Sequence, residues 1–155
     1  MKLRKAEEKD AAGIAAVLEE CYNIDSVEEG IKVFKEEASK KHNYIVADID
    51  GRIAGIVTWK MHGLPKHGLC ELDRIAVLKE FRGRSVGKAL FNALIEKADS
   101  EYKSKGSRLR RLYILTHADN KVAQSFYVKM GCTHEATLKS HYYKGTDEFV
   151  FSRFF

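Results

Sequence analysis

The chain alternates between short apolar runs and longer stretches in which apolar residues recur every three or four positions. Runs rich in β-branched and aromatic residues predict strands, and the longer recurrence predicts amphipathic helices. The predicted strands cover residues 2–6, 44–49, 53–61, 69–78, 109–116, 132–142 and 149–155. The predicted helices cover residues 10–21, 26–38, 86–106 and 120–130. This order predicts an α/β domain with a mixed, mostly antiparallel seven-stranded sheet flanked by about four helices.

Turn and cap residues support these boundaries. Asp50-Gly51 between two apolar runs is a strong hairpin signal. Ser26 followed by Glu29 has the pattern of a capping box, and Asp10 is placed to cap the first helix. Gly131 is expected to end the last helix in a left-handed conformation.

Length and composition indicate a globular protein. The 155 residues are 45% hydrophobic and 32% charged, which suits a single domain over residues 1–155. No apolar stretch reaches membrane-spanning length, and residues 1–8 contain no apolar signal core, so we expect a cytoplasmic protein with no membrane association. Cys21, Cys70 and Cys132 are far apart and suggest buried thiols rather than a metal site or disulfides.

The net charge of +5 leaves two interpretations. The densest basic segment, residues 103–111, lies at a predicted helix end, where cations suit the helix dipole. No nucleic-acid-binding motif accompanies it, so a solvated face is favoured and no nucleic-acid partner is expected. The alternative interpretation is a nucleic-acid-binding role, which predicts salt-sensitive binding of oligonucleotides.

A basic, glycine-containing turn joins one predicted strand to the third helix. Ile75 to Leu78 forms the apolar strand end, and helical spacing begins at Val86. The residues between them carry Arg82 and Arg84, and Lys88 follows in the first helical turn. Free N–H groups and the positive end of a helix dipole favour anions, so this turn predicts a phosphate site.

Two nucleotide-binding motifs are excluded at this turn. A Walker loop needs a hydroxyl residue after Gly-Lys, whereas the chain has Gly87-Lys88-Ala89. A dinucleotide fingerprint needs three glycines at fixed spacing, and only Gly83 and Gly87 are present.

The turn does resemble the pyrophosphate loop of acetyl-CoA-dependent N-acetyltransferases of the GNAT superfamily. The family pattern is Arg/Gln-x-x-Gly-x-Gly, and the chain has Arg82-x-x-Ser85-x-Gly87, with serine at a usual glycine. A second segment is similar to the family's strand–Asn–Ala–Tyr–Gly pattern, with Asn120, Ala123, Tyr127 and Gly131. Cys132 stands where the family usually has phenylalanine. The order of elements also matches the GNAT order, so the resemblance covers nearly the whole chain.

The resemblance implies acetyl-CoA as cosubstrate, no metal, and a set of site residues. The pyrophosphate would be held by Arg82, Gly83, Arg84, Ser85, Val86, Gly87 and Lys88. Ile75, Ala76 and Val77 would align the pantetheine arm, and Asn120 would support it. Tyr127 would protonate the leaving thiolate, since a phenol (pKa ~10) is a weaker acid than a thiol (~8.5). The alternative for Tyr127 is a core tyrosine on an apolar helical face.

The acceptor amine must lose a proton before it attacks the thioester. Strand alternation places Glu71 and Asp73 on one face, so Glu71 is the first candidate base and Asp73 the second. The alternative is that both are strand-edge charges paired with Arg74 or lysines. In family members that acetylate a ribosomal-protein N-terminus, the base is a glutamate on the fifth strand, and Leu115 occupies that position here. No cysteine lies in a nucleophile motif, so transfer is expected to be direct, in a ternary complex.

The acceptor itself is left open between a protein or peptide amine and a small amine. Tyr142 and Tyr143 are similar to the family's peptide-groove tyrosines, and Tyr22 is a second candidate for the acceptor side. Glu71, Asp73 and Asp25 would suit a small cationic amine. A non-catalytic acyl-CoA sensor is the alternative function.

The remaining features suggest no further chemistry. The histidines, including His117, have no spacing that suggests a metal site or a triad, and surface positions are expected. Either a monomer or a homodimer is expected, because the aromatic C-terminus can pack inside the monomer or against a second copy. The residues concerned are Phe149, Phe151, Phe154 and Phe155.

Overall fold

The computed structural model describes residues 1–155. Its strands are β1 (Lys2–Lys5), β2 (Asn43–Ile49), β3 (Arg52–His62), β4 (Leu69–Val77), β5 (Arg111–His117), β6 (Thr133–Tyr143) and β7 (Thr146–Phe154). Its α-helices are α1 (Ala11–Cys21), α2 (Val27–Ser39), α3 (Val86–Ser104) and α4 (Lys121–Lys129). Short 3-10 turns cover Glu8–Asp10, Pro65–His67 and Lys79–Phe81. The predicted order of strands and helices is confirmed.

The strands form one seven-stranded sheet in the order β1-β2-β3-β4-β5-β7-β6. β1 with β2, β2 with β3, β5 with β7 and β6 with β7 pair antiparallel, whereas β4 and β5 pair in parallel. The predicted mixed, mostly antiparallel α/β fold is therefore confirmed.

Two compact units make up the chain. The first contains residues 1–60 and 74–97, and the second contains residues 61–73 and 98–155. Ile14, Leu18, Ile56 and Leu90 are among the fully buried side chains of the first unit. Those of the second unit include Leu72, Tyr102, Leu112 and Ile114. The prediction of one domain over the whole chain stays a prediction.

Three local predictions need correction, and the first two concern α4 and β7. The helical spacing of residues 120–130 predicts Val122 on the apolar face of α4 together with Ala123 and Tyr127, but its side chain is 83% exposed. β7 begins at Thr146 rather than near Phe149, which leaves Lys144-Gly145 as the hairpin turn. Of the C-terminal aromatic residues, Phe151 is buried, whereas Phe154 and Phe155 are exposed. None of the helices is both long and apolar enough to cross a membrane.

Asp10 is the third correction, because its side chain makes no capping hydrogen bond to α1. Its buried carboxylate instead accepts hydrogen bonds from both terminal nitrogens of Arg4, at 2.7 and 2.9 Å. It also accepts the backbone N–H of Glu7 at 2.8 Å. The charged arginine offered a stronger hydrogen bond than the free N–H groups of the helix.

We expect Asp10→Asn to lower the free energy of unfolding at pH 7 by about 1.5–3 kcal/mol, the range for hydrogen bonds to charged groups. The hydrogen bonds from Arg4, followed by that from Glu7, hold the pKa of Asp10 below its usual value despite burial. A carboxyl with a lowered folded-state pKa stabilises the fold above its unfolded pKa of ~3.9, and this contribution is lost as the pH falls through the folded-state pKa. Denaturant unfolding at pH 7 and below pH ~4 measures the difference, which should shrink at the lower pH. The exposed Asp119→Asn is the control, and an equal effect of both variants would contradict the role of Arg4.

Candidate active site

The turn before α3 has the geometry of an anion-binding loop. After the 3-10 turn at Lys79–Phe81, Arg82 is extended and Gly83 takes a φ of 76°. Val86 is buried and anchors the first turn of α3 in the first unit. Arg82, Gly83, Arg84, Ser85 and Lys88 are exposed. The turn therefore presents basic side chains to solvent while its helix is fixed in the core.

The backbone N–H groups of residues 83–88 donate no hydrogen bond within the protein. The first helical hydrogen bond runs from the N–H of Ala89 to the carbonyl of Ser85, at 3.0 Å. Unsatisfied N–H groups at a helix N-terminus bind anions, and a pyrophosphate has enough oxygens to accept several of them. These residues fit the pyrophosphate of a coenzyme A thioester.

The basic side chains of the turn are positioned by contacts within the first unit. Arg82 Nε donates a hydrogen bond to the carbonyl of Val77 at 3.0 Å, which ties the turn to the end of β4. The Arg84 guanidinium lies 5.6 Å from the centre of the Phe81 ring. Both contacts leave donor nitrogens available for an anionic ligand.

Cys21 lies beside the same arginine and differs from the two other cysteines. Its sulfur is 3.8 Å from a terminal nitrogen of Arg82, and its side chain is only partly buried. Cys70 and Cys132 are buried as expected, and burial raises the pKa of Cys132 to about 11. Burial also raises the pKa of Cys21, against the opposing effect of Arg82. The thiol form is therefore favoured at all three positions.

Ser85 stands where the family pattern has glycine, and its backbone has a conformation that favours glycine. Its φ is 60°, in the left-handed region, whereas N-cap residues are usually extended. Serine at this position therefore adds an exposed side chain to a loop whose backbone conformation favours glycine.

We expect Ser85→Gly to raise the free energy of unfolding by about 0.5–1 kcal/mol, because glycine adopts this φ without steric cost. Denaturant unfolding measures the change. Ser100→Gly, at an exposed position inside α3, is the matched control and should lower stability by about 0.5–1 kcal/mol. A loss of stability in both variants would contradict the strain at Ser85.

The pairing between β4 and β5 stops before the C-terminal end of β4. Pairing covers only Leu69–Leu72 of β4 and Arg111–Ile114 of β5. Ile75–Val77 lie beyond these pairs. The carbonyl of Ile75 accepts a hydrogen bond from the Tyr22 hydroxyl at 3.2 Å, so Tyr22 positions this strand end. A Cβ at Gly55 would lie 2.6 Å from the carbonyl oxygen of Ala76, so β3 requires glycine there.

Asn120 and Tyr127 lie on α4 in the second unit. Asn120 is the N-cap, and its side-chain oxygen accepts the N–H of Ala123 at 3.1 Å. Tyr127 is buried, with its ring centre 6.1 Å from that of Phe151. The amide nitrogen of Asn120 is left for a ligand, and Tyr127 is placed on the inner face of its helix.

Glu71 has a histidine and a tyrosine among its partners. Its Oε2 lies 2.6 Å from His62 Nε2 and accepts the Tyr113 hydroxyl at 3.2 Å. Desolvation and this carboxylate raise the pKa of Tyr113 above its usual value. Arg74 instead binds Glu37, with both oxygens within 2.7 Å of its Nη1. Asp73 is half-buried two residues further along β4.

Tyr142 lies within the electrostatic influence of three carboxylates of the second unit. Desolvation, followed by the charges of Glu71, Glu148 and Asp73, raises the pKa of its phenol. Tyr142 and Tyr143 are both largely exposed at the end of β6. This end of the second unit therefore combines negative charge with exposed aromatic surface, which suits a cationic ligand.

His117 has a buried carboxylate partner that the sequence did not reveal. Its Nδ1 contacts Oε1 of Glu148, whose side chain is only 2% exposed. The pairing follows from the β5–β7 register, which sets His117 directly opposite Glu148. No local spacing signals a pair that is formed across two strands.

The predicted site residues thus fall into two groups, one within each unit. Tyr22, Ile75–Val77 and the turn at 82–88 belong to the first unit. Glu71, Asp73, Asn120, Tyr127 and Tyr142 belong to the second. Asp25, also considered for the acceptor side, lies in the first. Their roles in binding and catalysis stay predictions.

Similar proteins give the family. Residues 11–132 match the family described as "Acetyltransferase (GNAT) family". An uncharacterised N-acetyltransferase of Methanocaldococcus jannaschii is 31% identical over 100 residues, covering 62% of this chain and 41% of that protein. N-alpha-acetyltransferase 30 of Schizosaccharomyces pombe is 31% identical over 75 residues, covering 48% of this chain and 46% of that protein. The chain therefore matches less than half of the length of these two relatives.

A solved structure supports the fold over the whole chain. The crystal structure of a GNAT-family acetyltransferase from Desulfovibrio desulfuricans has a TM-score of 0.82 at 20% identity, covering 99% of this chain and 98% of that one. Together with the family match over most of the sequence, this agreement in fold means that the chain belongs to the acetyltransferase (GNAT) family.

Proposed function

We propose that the protein is an acetyl-CoA-dependent N-acetyltransferase that moves the acetyl group directly to a primary amine in a ternary complex. The observation that carries this proposal is the run of unpaired N–H groups at residues 83–88, in a chain of the GNAT family. Exposed Arg82, Arg84 and Lys88 add positive charge to the same turn. An anionic cosubstrate suits this turn better than any neutral ligand.

In this proposal the first unit binds the cosubstrate. Gly83, Ser85, Val86 and Gly87 give backbone N–H groups to the pyrophosphate, and the basic side chains neutralise it. Ile75–Val77 align the pantetheine arm, because the pairing of β4 with β5 ends before them. The Tyr22 hydroxyl holds the Ile75 carbonyl, which fixes the position of this strand end.

The second unit supplies the acid and the acceptor side. Asn120 supports the pantetheine arm through its side-chain nitrogen, and Tyr127 protonates the departing thiolate. Glu71 and Asp73 attract the ammonium form of the acceptor, and Glu71 is the base suggested by the sequence, directly or through water. The contacts of Glu71 with His62 and Tyr113 hold its carboxylate in one position.

Two acceptor classes suit the negative charge near Tyr142. A peptide α-amine is favoured by the exposed Tyr142 and Tyr143 and by one relative's name, N-alpha-acetyltransferase 30. A small amine with more than one positive charge is favoured by the carboxylates of Glu71, Asp73 and Glu148.

Release of free thiol from acetyl-CoA tests the proposal. The panel should contain peptides with free α-amines, the same peptides with blocked N-termini and a side-chain lysine, and small mono- and polyamines. Turnover with any amine supports the proposed acetyltransferase activity, and the best acceptor identifies the class of amine that the protein acetylates.

The non-catalytic alternative makes a different prediction in the same experiment. A sensor would bind CoA, measured by calorimetry, without turning over any acceptor. Absence of both binding and turnover would contradict the proposed function and the sensor alike.

A further inference from the structure

The His117–Glu148 pair of the second unit joins a partly exposed imidazole to a buried carboxylate, and the proposed function gives it no catalytic role. A carboxylate that is 2% exposed is costly unless it is paired, and the partner of Glu148 is His117 Nδ1. The side chain of His117 is 44% exposed, and its Nε2 has no hydrogen-bond partner within the protein. One ring nitrogen therefore contacts a buried carboxylate, although without the geometry of a hydrogen bond, and the other is available to a ligand.

The backbone around His117 is held rigidly. Its carbonyl accepts hydrogen bonds from the N–H of Asn120 at 2.9 Å and from Gln124 Nε2 at 3.1 Å. The next N–H, that of Ala118, donates to the carbonyl of Asp147 at 2.9 Å. These contacts fix the backbone of His117 with respect to both β7 and the start of α4.

His117 also lies on the acceptor side of the second unit. Strand alternation places it on the same face of β5 as Tyr113, which donates to Glu71. The ring of Tyr143 is 6.3 Å from the His117 ring, and Glu148 influences the phenol of Tyr142. β5 pairs with β4 only as far as Ile114, so His117 lies beyond the paired segment.

We propose that His117, oriented by Glu148, is the base that removes the proton from the acceptor amine. This inference rests on the proposed function and assigns its proton acceptor. The Glu71 carboxylate already engages His62 and Tyr113 through the same oxygen, which suits it to holding the positive charge of the acceptor. An imidazole is also a stronger base near neutral pH than a carboxylate.

The proton and electron balance is complete. The ammonium proton moves to His117 Nε2 and then to solvent, and Glu148 stabilises the imidazolium formed. The nitrogen lone pair attacks the thioester carbonyl, so that a C–N bond forms and the C–S bond breaks. Tyr127 protonates the thiolate, and the second proton lost from nitrogen restores the Tyr127 phenol through solvent. One proton is released for each acetyl group transferred.

The test compares His117→Gln with Glu71→Gln and with His134→Gln, using the best acceptor from the amine panel. We expect His117→Gln to lower kcat by roughly 10²–10⁴-fold near pH 6.5. The loss should shrink as the pH rises above the pKa of the acceptor amine, ~8 for an α-amine, because the amine is then already deprotonated. A purely structural role would give the same loss at every pH. Glu148 and Tyr143 are titratable groups next to the His117 ring, Tyr113 lies on the same face of β5, and none of them is changed in this variant.

Three controls keep the outcomes distinct. His134 stacks on Phe149 at 4.2 Å on the exposed strand β6, and its substitution should leave kcat unchanged. His117→Ala should regain activity when imidazole is added, and Glu148→Gln should lower kcat with an unchanged affinity for CoA. If the wild type turns over and the kcat of His117→Gln shows no pH-dependent loss, the inference is overturned. It is also overturned if Glu71→Gln shows this pH-dependent loss of kcat and His117→Gln does not. Absence of wild-type turnover would contradict the proposed function itself.

Discussion

Ser85→Asp should weaken the binding of CoA on the order of 100-fold while leaving the fold intact. Ser85 is exposed at the centre of the turn with unpaired N–H groups, so a carboxylate there competes with the pyrophosphate for the same donors. Like charges a few ångströms apart repel by about 1–4 kcal/mol near a protein surface, which corresponds to roughly 5–1,000-fold in Kd. Aspartate also tolerates the φ of 60°, since Asp and Asn are enriched in this region.

Ser85→Asn is the matched control, because it has the shape of aspartate without the charge. Calorimetry with CoA and with pantetheine, which lacks the pyrophosphate, separates the two effects. We expect the Asp variant to lose affinity for CoA only, and the loss to shrink at high salt. Equal losses in the Asn variant, or a loss of pantetheine binding, would contradict a pyrophosphate site at this turn.

Features formed by neighbouring residues were predictable from the sequence. The turn between residues 82 and 88 follows from adjacent signals: an apolar strand end, a glycine, and helical spacing from Val86. The Asp50-Gly51 hairpin and the left-handed Gly131 were predictable for the same reason, and both have the expected positive φ. The order of strands and helices follows from such local patterns.

Features that depend on distant residues were not predictable in this way. Asp10 has the sequence position of a helix cap, but Arg4 binds its carboxylate once β1 is formed. The Glu71 contact with His62 needs the loop at 63–68, and the His117–Glu148 pair needs the register between β5 and β7. A single sequence gives the elements but not the register, and a one-residue slip would place each side chain on the opposite face.

The same distinction separates the signals for the proposed cosubstrate side from those for the proposed acceptor side. Phosphate binding at a helix N-terminus relies on the backbone of one turn, which a short motif specifies. The proposed acceptor side would rely on side chains from β4, β5, β7 and the β6–β7 hairpin, which only the folded sheet assembles. The carboxylates of Glu71 and Glu148 are far apart in sequence, yet both influence Tyr142.

Tyr127→Phe should lower kcat by roughly 10²-fold or more, because the thiolate then leaves without a general acid. The ring is kept, so its contact with Phe151 and the fold should survive. The affinity for acetyl-CoA should change little, because the proton is needed only as the C–S bond breaks. Steady-state kinetics with calorimetric Kd values for the cosubstrate measure both quantities.

Tyr102→Phe is the matched control for this change, since Tyr102 is a buried tyrosine with a structural hydroxyl. Its hydroxyl donates a hydrogen bond to the carbonyl of Leu69. Removing it should lower the free energy of unfolding by about 1–3 kcal/mol and leave kcat unchanged. The two variants should therefore separate catalysis from stability, with kcat lost in one and unfolding free energy in the other. If Tyr127→Phe instead behaved like Tyr102→Phe, Tyr127 would be a core residue and the acid would have to come from another group or from water.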